Sequence, residues 1–343
     1  MRRSLATRIA KHLAHAGHNA MPEPILKHVS GMKDAPSVPV LEASQLPESL
    51  FTGEYVARSQ PCVIRGAVRH WPAMEKWRDK DYLKQSCGHH NVFLYPHENF
   101  MGLERMEAGK RSIRFAEAVE ELHSENTKVA TLQFPEQLSE LLPDIIGFSF
   151  LTKAKPPILY QPAVRYFIYR NAGTTWHYHP VDETLMCQVV GSKKIGLLAA
   201  NTRFQKALHS IFFQEDYYDE PSAFAWLDQA DLRWFSAHLE EGDALYIPPL
   251  WWHGVIPASP FFGMTAAVAF RSPLHVIADT IRKMDCGDID MVGFTSLPEI
   301  NRLMGAAREA GLALDVRRSA PLSISIRPDV GTHAKPDIPV VPP

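Results

Sequence analysis

Between Arg165 and Phe270 the chain is a succession of short apolar runs cut by turn residues, and that rhythm limits the fold more than any other feature. "RYFIYRNAG", "TLMCQVVGSKKIGLLAA", "FSAHLEEGDALYIPP" and "GMTAAVAFRS" read as strands, with Gly, Asn and Pro as the punctuation between them. Short strands so spaced predict an antiparallel barrel or sandwich. Before this core, "PCVIRGAV" (Pro61 to Val68) reads as a strand and "SIRFAEAVEELHSE" (Ser112 to Glu125) as a helix. Ser112 is the expected N-cap of that helix, and Phe115, Val119 and Leu122 its core-facing stripe. After Pro273, "LHVIADTIRKM" and "LPEINRLMGAAREAG" carry a helical pattern.

No internal repeat is visible. The reading divides the chain into an N-terminal extension (1–37), one catalytic-size domain with a helical lead-in (38–275), C-terminal helices that could pair two copies as a homodimer (276–318), and a proline-rich, disordered tail (319–343). The first acidic residue is Glu23, so the start of the chain reads as a basic amphipathic helix leading into the domain, a pattern that a mitochondrial leader would share.

Of the 343 residues 45% are hydrophobic, enough for a large core, and the net charge of -2 steers the chain to neither nucleic acid nor anionic lipid. No apolar run has the length of a bilayer span, roughly 18 to 20 residues. The cysteines (Cys62, Cys87, Cys187, Cys286) form no C-x-x-C pair and read as reduced thiols, so a cytoplasmic location is expected, with no membrane or nucleic-acid partner.

The chemistry concentrates in two stretches. In "TTWHYHPVDETLMCQ" (Thr174 to Gln188), His177, His179 and Glu183 share parity, so one regular strand would aim all three at one side. Imidazole nitrogen and carboxylate oxygen both suit a divalent first-row metal. H-x-H alone is weak evidence in a chain with sixteen histidines. The second stretch, "EEGDALYIPPLWWHGV" (Glu240 to Val255), places His253 just after an apolar strand, where a closed barrel brings it opposite the first pair. Trp176, Tyr178, Trp251 and Trp252 are the expected walls of the substrate pocket. Cys187, which shares the inward parity, reads as a buried structural thiol.

Together, "GTTWHYHPVDETLMCQVVGSKKIGLLAA" and "LEEGDALYIPPLWWHGV" resemble the JmjC, or cupin-like, hydroxylases, and "QPCVIRGAVRHWPAMEKW" (Gln60 to Trp77) resembles that family's lead-in. The resemblance implies a mainly β fold with flanking helices around a double-stranded β-helix (cupin, or jelly-roll) core. It implies a mononuclear Fe(II) oxygenase, other divalent metals being possible, with 2-oxoglutarate as cosubstrate. Residue by residue it makes His177 and His253 metal ligands, Lys193 of "GSKK" the 2-oxoglutarate-binding lysine, and Thr174 the hydroxyl beside it. The step from His177 to Gln188 is one residue longer than the family pattern, which suggests a bulge.

The chain departs from the family at His179, where an acid is usual, and at Glu183, where Asn is common. H-x-H-x-x-x-E resembles the metal motif of the wider cupin superfamily, in which three histidines and a glutamate hold one ion. The family's early-strand Tyr aligns with Thr131 and its late-strand Asn with Ala269. The expectation is therefore an iron-dependent hydroxylase that uses O2 on a peptide, protein side chain or small molecule. Two alternatives stand beside it: a three-His/one-Glu oxygenase that uses no 2-oxoglutarate, and a cupin that binds metal or ligand without turnover.

Overall fold

The computed structural model describes residues 34–96, 110–132, 138–157, 160, 162–179, 182–199, 208, 232–271 and three short strands beyond them, 289–292, 312–317 and 323–328. The lead-in supplies β1 (Val40–Glu42), β2 (Cys62–Arg65), β3 (Asn91–Tyr95), β4 (Arg111–Arg114) and β5 (Ala130–Leu132). The core adds β6 (Val164–Arg170), β7 (Thr174–His177), β8 (Glu183–Val190), β9 (Lys193–Leu198), β10 (Trp234–Leu239), β11 (Ala244–Ile247), β12 (Trp252–Pro257) and β13 (Phe262–Phe270). They form a nine-stranded sheet in the order β1-β2-β11-β8-β13-β6-β5-β3-β4 and a four-stranded sheet in the order β10-β9-β12-β7. All the ladders are antiparallel except β1 with β2. The expected jelly-roll core is the one observed.

Each face of the larger sheet has its own company, because side chains alternate along a strand. Leu185 and Cys187 of β8, Tyr166 and Ile168 of β6, and Met264 and Ala266 of β13 join the main apolar cluster. Helices α1 (Lys80–Cys87) and α2 (Phe115–His123) cover it with Leu83, Cys87, Phe115, Val119 and Leu122. Met186 of β8 and Leu245 of β11 turn the other way and pack with Ile195 and Leu197 of the small sheet. The space between the sheets is the chamber that matters for function.

Two expectations change. Ser112 lies in β4 opposite Phe93, and α2 starts at Phe115 with Arg114 as its cap residue; the expected stripe of Phe115, Val119 and Leu122 is nonetheless fully buried. The edge pairing with β3 delays the helix by two residues. The span 319–343, expected to be a disordered tail, contains β16 (Ser323–Pro328), the central strand between β14 (Ile289–Val292) and β15 (Leu312–Arg317). "SISI" alternates polar and β-branched residues, a strand signature that the neighbouring prolines obscured. The two stretches expected as helices after Pro273 and the N-terminal basic segment lie outside the described residues, and what is described of the span 276–318 is strand, β14 and β15.

Candidate metal centre

Two strands of the small sheet bring the first histidines together. β7 and β12 pair with His177 opposite His253 and Thr174 opposite Val255, so three residues on β7 span two on β12. That bulge puts Thr174 on the same face as His177, although the two are three apart in sequence. The ring centroids of His177 and His253 are 4.1 Å apart.

His179 lies just beyond the end of β7, and local bonds hold it. Its backbone carbonyl accepts from the Leu250 amide at 2.7 Å, which ties it to the turn before β12. Its Nδ1 is 2.8 Å from the Thr184 hydroxyl. Its ring is 4.8 Å from that of His253 and 5.5 Å from that of His177. One ligand nitrogen from each of the three histidines lies within 4.8 Å of the others, and all three residues are buried.

The tautomer of His253 is fixed by its neighbour. Nδ1 lies 3.0 Å from the Trp251 carbonyl, which can only accept, so Nδ1 carries the proton and Nε2 presents its lone pair. That Nε2 is buried with no hydrogen-bond partner among the described residues. A buried lone pair without a donor costs about 1–3 kcal/mol unless something fills it, and a cation does so. Burial, with the neighbouring histidines, also holds the imidazolium forms of His179 and His253 well below their usual range. Both rings are thereby suited to ligate, and His177 stands beside them.

Glu183 does not join them. The parity argument assumed one strand from His177 to Glu183, but β7 ends at His177 and β8 belongs to the opposite sheet. On β8, Thr184 and Met186 face the chamber while Glu183, Leu185 and Cys187 face the helix-covered core. The Glu183 carboxylate accepts from the Tyr246 hydroxyl at 2.6 Å and is fully buried there. The residue after it, Thr184, is the one that touches a metal-site histidine.

The expected pocket aromatics also divide by face. Trp252 flanks His253 on the strand, so it points to the outer side of the small sheet, where Tyr178 packs on it at 4.7 Å. Trp176 lies on that side too, over Gly254 and edge-on to Trp234 at 5.4 Å; a Cβ on Gly254 would stand 3.3 Å from the indole. Only Trp251 packs between the sheets, its Nε1 donating to the Ser59 carbonyl at 2.9 Å. Cys187 is a core thiol, pushed well up by burial.

Lys193 is 4% exposed while Lys194, its neighbour on β9, is exposed. Its ammonium sits 4.3 Å over the Tyr169 ring, and burial alone pushes it down to about 7. Such a cation is stabilised by an anionic ligand. The Thr174 hydroxyl is likewise buried without a partner among the described residues. The donor set thus fits both a divalent metal and a carboxylate ligand beside it.

Sequence reading missed Thr184, Tyr169 and Arg165. Tyr169 stands opposite Thr131 in the β5–β6 ladder, so a phenol occupies the neighbourhood where the resemblance expects one, from the adjacent strand. Gln188 donates to its hydroxyl at 3.1 Å, and the ring occupies the space over Gly263, where a Cβ would come within 2.3 Å of it. The signal was available for Arg165: a charge in phase with Phe167 and Tyr169, in a strand whose other arginine, Arg170, falls on the opposite parity.

Comparison with known proteins agrees with this geometry. Residues 47–270, well over half of the chain, match the family described as cupin-like domain. The chain belongs to that family. Among curated relatives, this cupin-like chain is 27% identical over 267 residues to Jumonji C domain-containing protein 5 of Drosophila melanogaster, covering 72% of this chain and 63% of that protein. It is 28% identical to lysine-specific demethylase JMJ30 of Arabidopsis thaliana, with 60% of this chain and 49% of the relative covered. It is also 28% identical to the human bifunctional peptidase and (3S)-lysyl hydroxylase JMJD7, with 46% and 52% covered. The chain therefore spans between about half and two thirds of the length of these relatives. At family level this is the JmjC type of cupin, whose members typically use iron(II) and 2-oxoglutarate for oxygenase chemistry. Among the described residues no helix is long and apolar enough to cross a membrane.

Proposed function

We propose that the protein is an iron(II)- and 2-oxoglutarate-dependent hydroxylase, with His177, His179 and His253 as metal ligands and Lys193 and Thr174 as the 2-oxoglutarate site. The observation that carries the reading is the buried three-histidine cluster, with the Nε2 of His253 left as an unmatched lone pair by the Nδ1–carbonyl contact. Three neutral nitrogens would hold the ion and leave it room for a two-oxygen chelate beside O2. When bound, the metal with its cosubstrate supplies an O2-derived oxidant for a C–H bond.

The chain's own residues do the rest. Thr184 fixes the His179 ring, and the Trp251 carbonyl fixes the His253 tautomer. Lys193 would neutralise the distal carboxylate of the cosubstrate, and the hydroxyl of Thr174 would donate to it. Ile195, Leu197 and Met186 keep water from the chamber. The relatives named for lysine demethylation and lysyl hydroxylation favour a peptide or protein side chain as substrate.

The four-ligand alternative without 2-oxoglutarate needs Glu183 on the ion, and that carboxylate sits on the far face of β8 with Tyr246. The test is anaerobic reconstitution with iron(II), followed by oxygen uptake with and without 2-oxoglutarate. Uptake that depends on 2-oxoglutarate supports the proposal. Tight metal binding with no 2-oxoglutarate binding and no uptake identifies a passive binder instead.

A further inference from the structure

We propose that Arg165 makes the chamber a receptor for a substrate carrying a carboxylate or phosphate group close to the bond that is oxidised. The inference rests on the metal and 2-oxoglutarate reading above and adds the chemical class of the substrate. β6 alternates: Tyr166 and Ile168 join the helix-covered core, so Arg165, Phe167 and Tyr169 face the chamber. The Arg165 guanidinium stacks on the Tyr160 ring at 3.6 Å, and that ring meets the His179 ring edge-on at 5.3 Å. Arg165 is thus one aromatic ring away from the histidine cluster, and its charge acts on both His179 and His253.

Two of its donor atoms, Nε and Nη2, are buried with no hydrogen-bond partner among the described residues. A guanidinium offers donors in a planar fork that matches a carboxylate or phosphate edge, and burying that fork unmatched is unfavourable. Among the described residues, the Tyr160 side chain and the acid Asp182 are the groups that stabilise the Arg165 charge, and Asp182 also accepts from the Tyr160 amide at 3.0 Å. That one acid does not balance the charges described here. His179 stands where an acid would have removed one charge from the metal, Lys193 adds another cation, and the 2-oxoglutarate dianion offsets only part of the total. A substrate anion matches what remains. Arg165 and the Lys193–Tyr169 pair sit at opposite ends of the chamber-facing row of β6, four residues or about 13 Å apart. The cosubstrate at the lysine end leaves the arginine end to the substrate.

The experiment uses the full chain, reconstituted anaerobically with cobalt(II) and saturated with 2-oxoglutarate, and titrated with acetate, inorganic phosphate and neutral acetamide. Visible cobalt bands and calorimetry read binding. The expected result is that at least one anion binds and acetamide does not, and that Arg165→Met weakens the anion at least about tenfold, the size of a lost charge-assisted hydrogen bond. Arg165→Lys keeps part of the affinity, and 2-oxoglutarate affinity is unchanged in both variants. Equal anion affinity in wild type and Arg165→Met overturns the proposal, as does wild type that binds neither anion. Loss of 2-oxoglutarate binding in Arg165→Met also overturns it, by assigning the arginine to the cosubstrate. If wild type itself takes no 2-oxoglutarate, the function proposed above fails, and the same anion titration without it still decides the role of Arg165.

Discussion

The two sheets that enclose the chamber divide the work. The four-stranded sheet carries atoms that would touch metal or cosubstrate: His177 and Thr174 on β7, His253 on β12 and Lys193 on β9. The nine-stranded sheet carries what holds those atoms in place: Thr184 against His179, and Tyr169 beneath Lys193. Its other face is the apolar core. A ligand sheet of four strands, backed by a larger sheet with its own core, lets ligand positions change without endangering the fold. Substitutions on the small sheet should therefore change metal and 2-oxoglutarate binding most, and those on the large sheet should change that binding modestly or stability alone, Arg165 on β6 acting instead on the substrate.

His253→Ala is the strongest test of this division. It removes one of the three proposed ligands, so metal affinity should fall by about 100-fold or more. The metal-free protein should melt somewhat lower than wild type, because the buried ring leaves a cavity and its bond to the Trp251 carbonyl is lost, an effect partly offset by removal of the unmatched Nε2 lone pair. Metal content after dialysis and a melting curve check both outcomes. A large loss of fold in the metal-free form would make His253 structural and break the comparison.

Lys193→Met comes next. It should weaken 2-oxoglutarate binding by about 10- to 100-fold, as expected for a charge-assisted contact. The lysine also has a stability signature of opposite sign. Its ammonium is held at about 7 in the folded chain, against roughly 10.4 in the unfolded one. Between those values the unfolded state binds more protons, so the contribution of Lys193 to stability rises with pH across that window and is flat below it. Wild type without ligand should therefore gain on Lys193→Met as pH rises from 7 to about 10, and the variant should be the more stable one at pH 7. Denaturant titrations of both proteins at several pH values read this difference directly.

How far the sequence disclosed the molecule follows the same division. The β core was legible because strand periodicity and turn residues are local, and His177, His179 and His253 were legible because they lie in or beside such strands. What failed was parity carried across a sheet change. Between His177 and Glu183 the chain leaves one sheet and enters the other, so counting by twos picked Glu183 where the geometry presents Thr184. The same limit applied to Trp176, Tyr178 and Trp252, whose aromatic character suggested a pocket but whose face depends on which sheet and register they occupy. Thr174 needed the β7–β12 bulge to share a face with His177, and no local pattern shows which strand takes the extra residue.

Thr184→Val tests the supporting role of the large sheet. The substitution keeps the shape and removes the hydroxyl 2.8 Å from His179 Nδ1. Losing such a partner of a ligating histidine typically costs about 10- to 100-fold in metal affinity, and the lower end is expected here because the Leu250 amide still holds the His179 backbone. Thermal stability should change little. Metal titration against a competing chelator measures the effect; an unchanged affinity would mean that Thr184 does not orient the ring.

Glu183→Gln should have the smallest effect on binding, and it separates the two faces of β8 most cleanly. The carboxylate faces the core, where its bond is to Tyr246, so an amide of equal size should leave metal and 2-oxoglutarate affinities within error of wild type. The carbonyl oxygen of the introduced amide can still accept from the Tyr246 hydroxyl, while its nitrogen adds donors that a buried carboxylate site does not require, so stability should fall by about 1–3 kcal/mol. Tyr246→Phe removes the donor from the same pair, so the double variant should cost less than the sum of the single ones. Calorimetric metal titration and denaturant melts of the three variants give both quantities. Loss of the metal in Glu183→Gln with the fold intact would return Glu183 to the ion, restore the four-ligand reading, and leave 2-oxoglutarate too few open positions to share with O2.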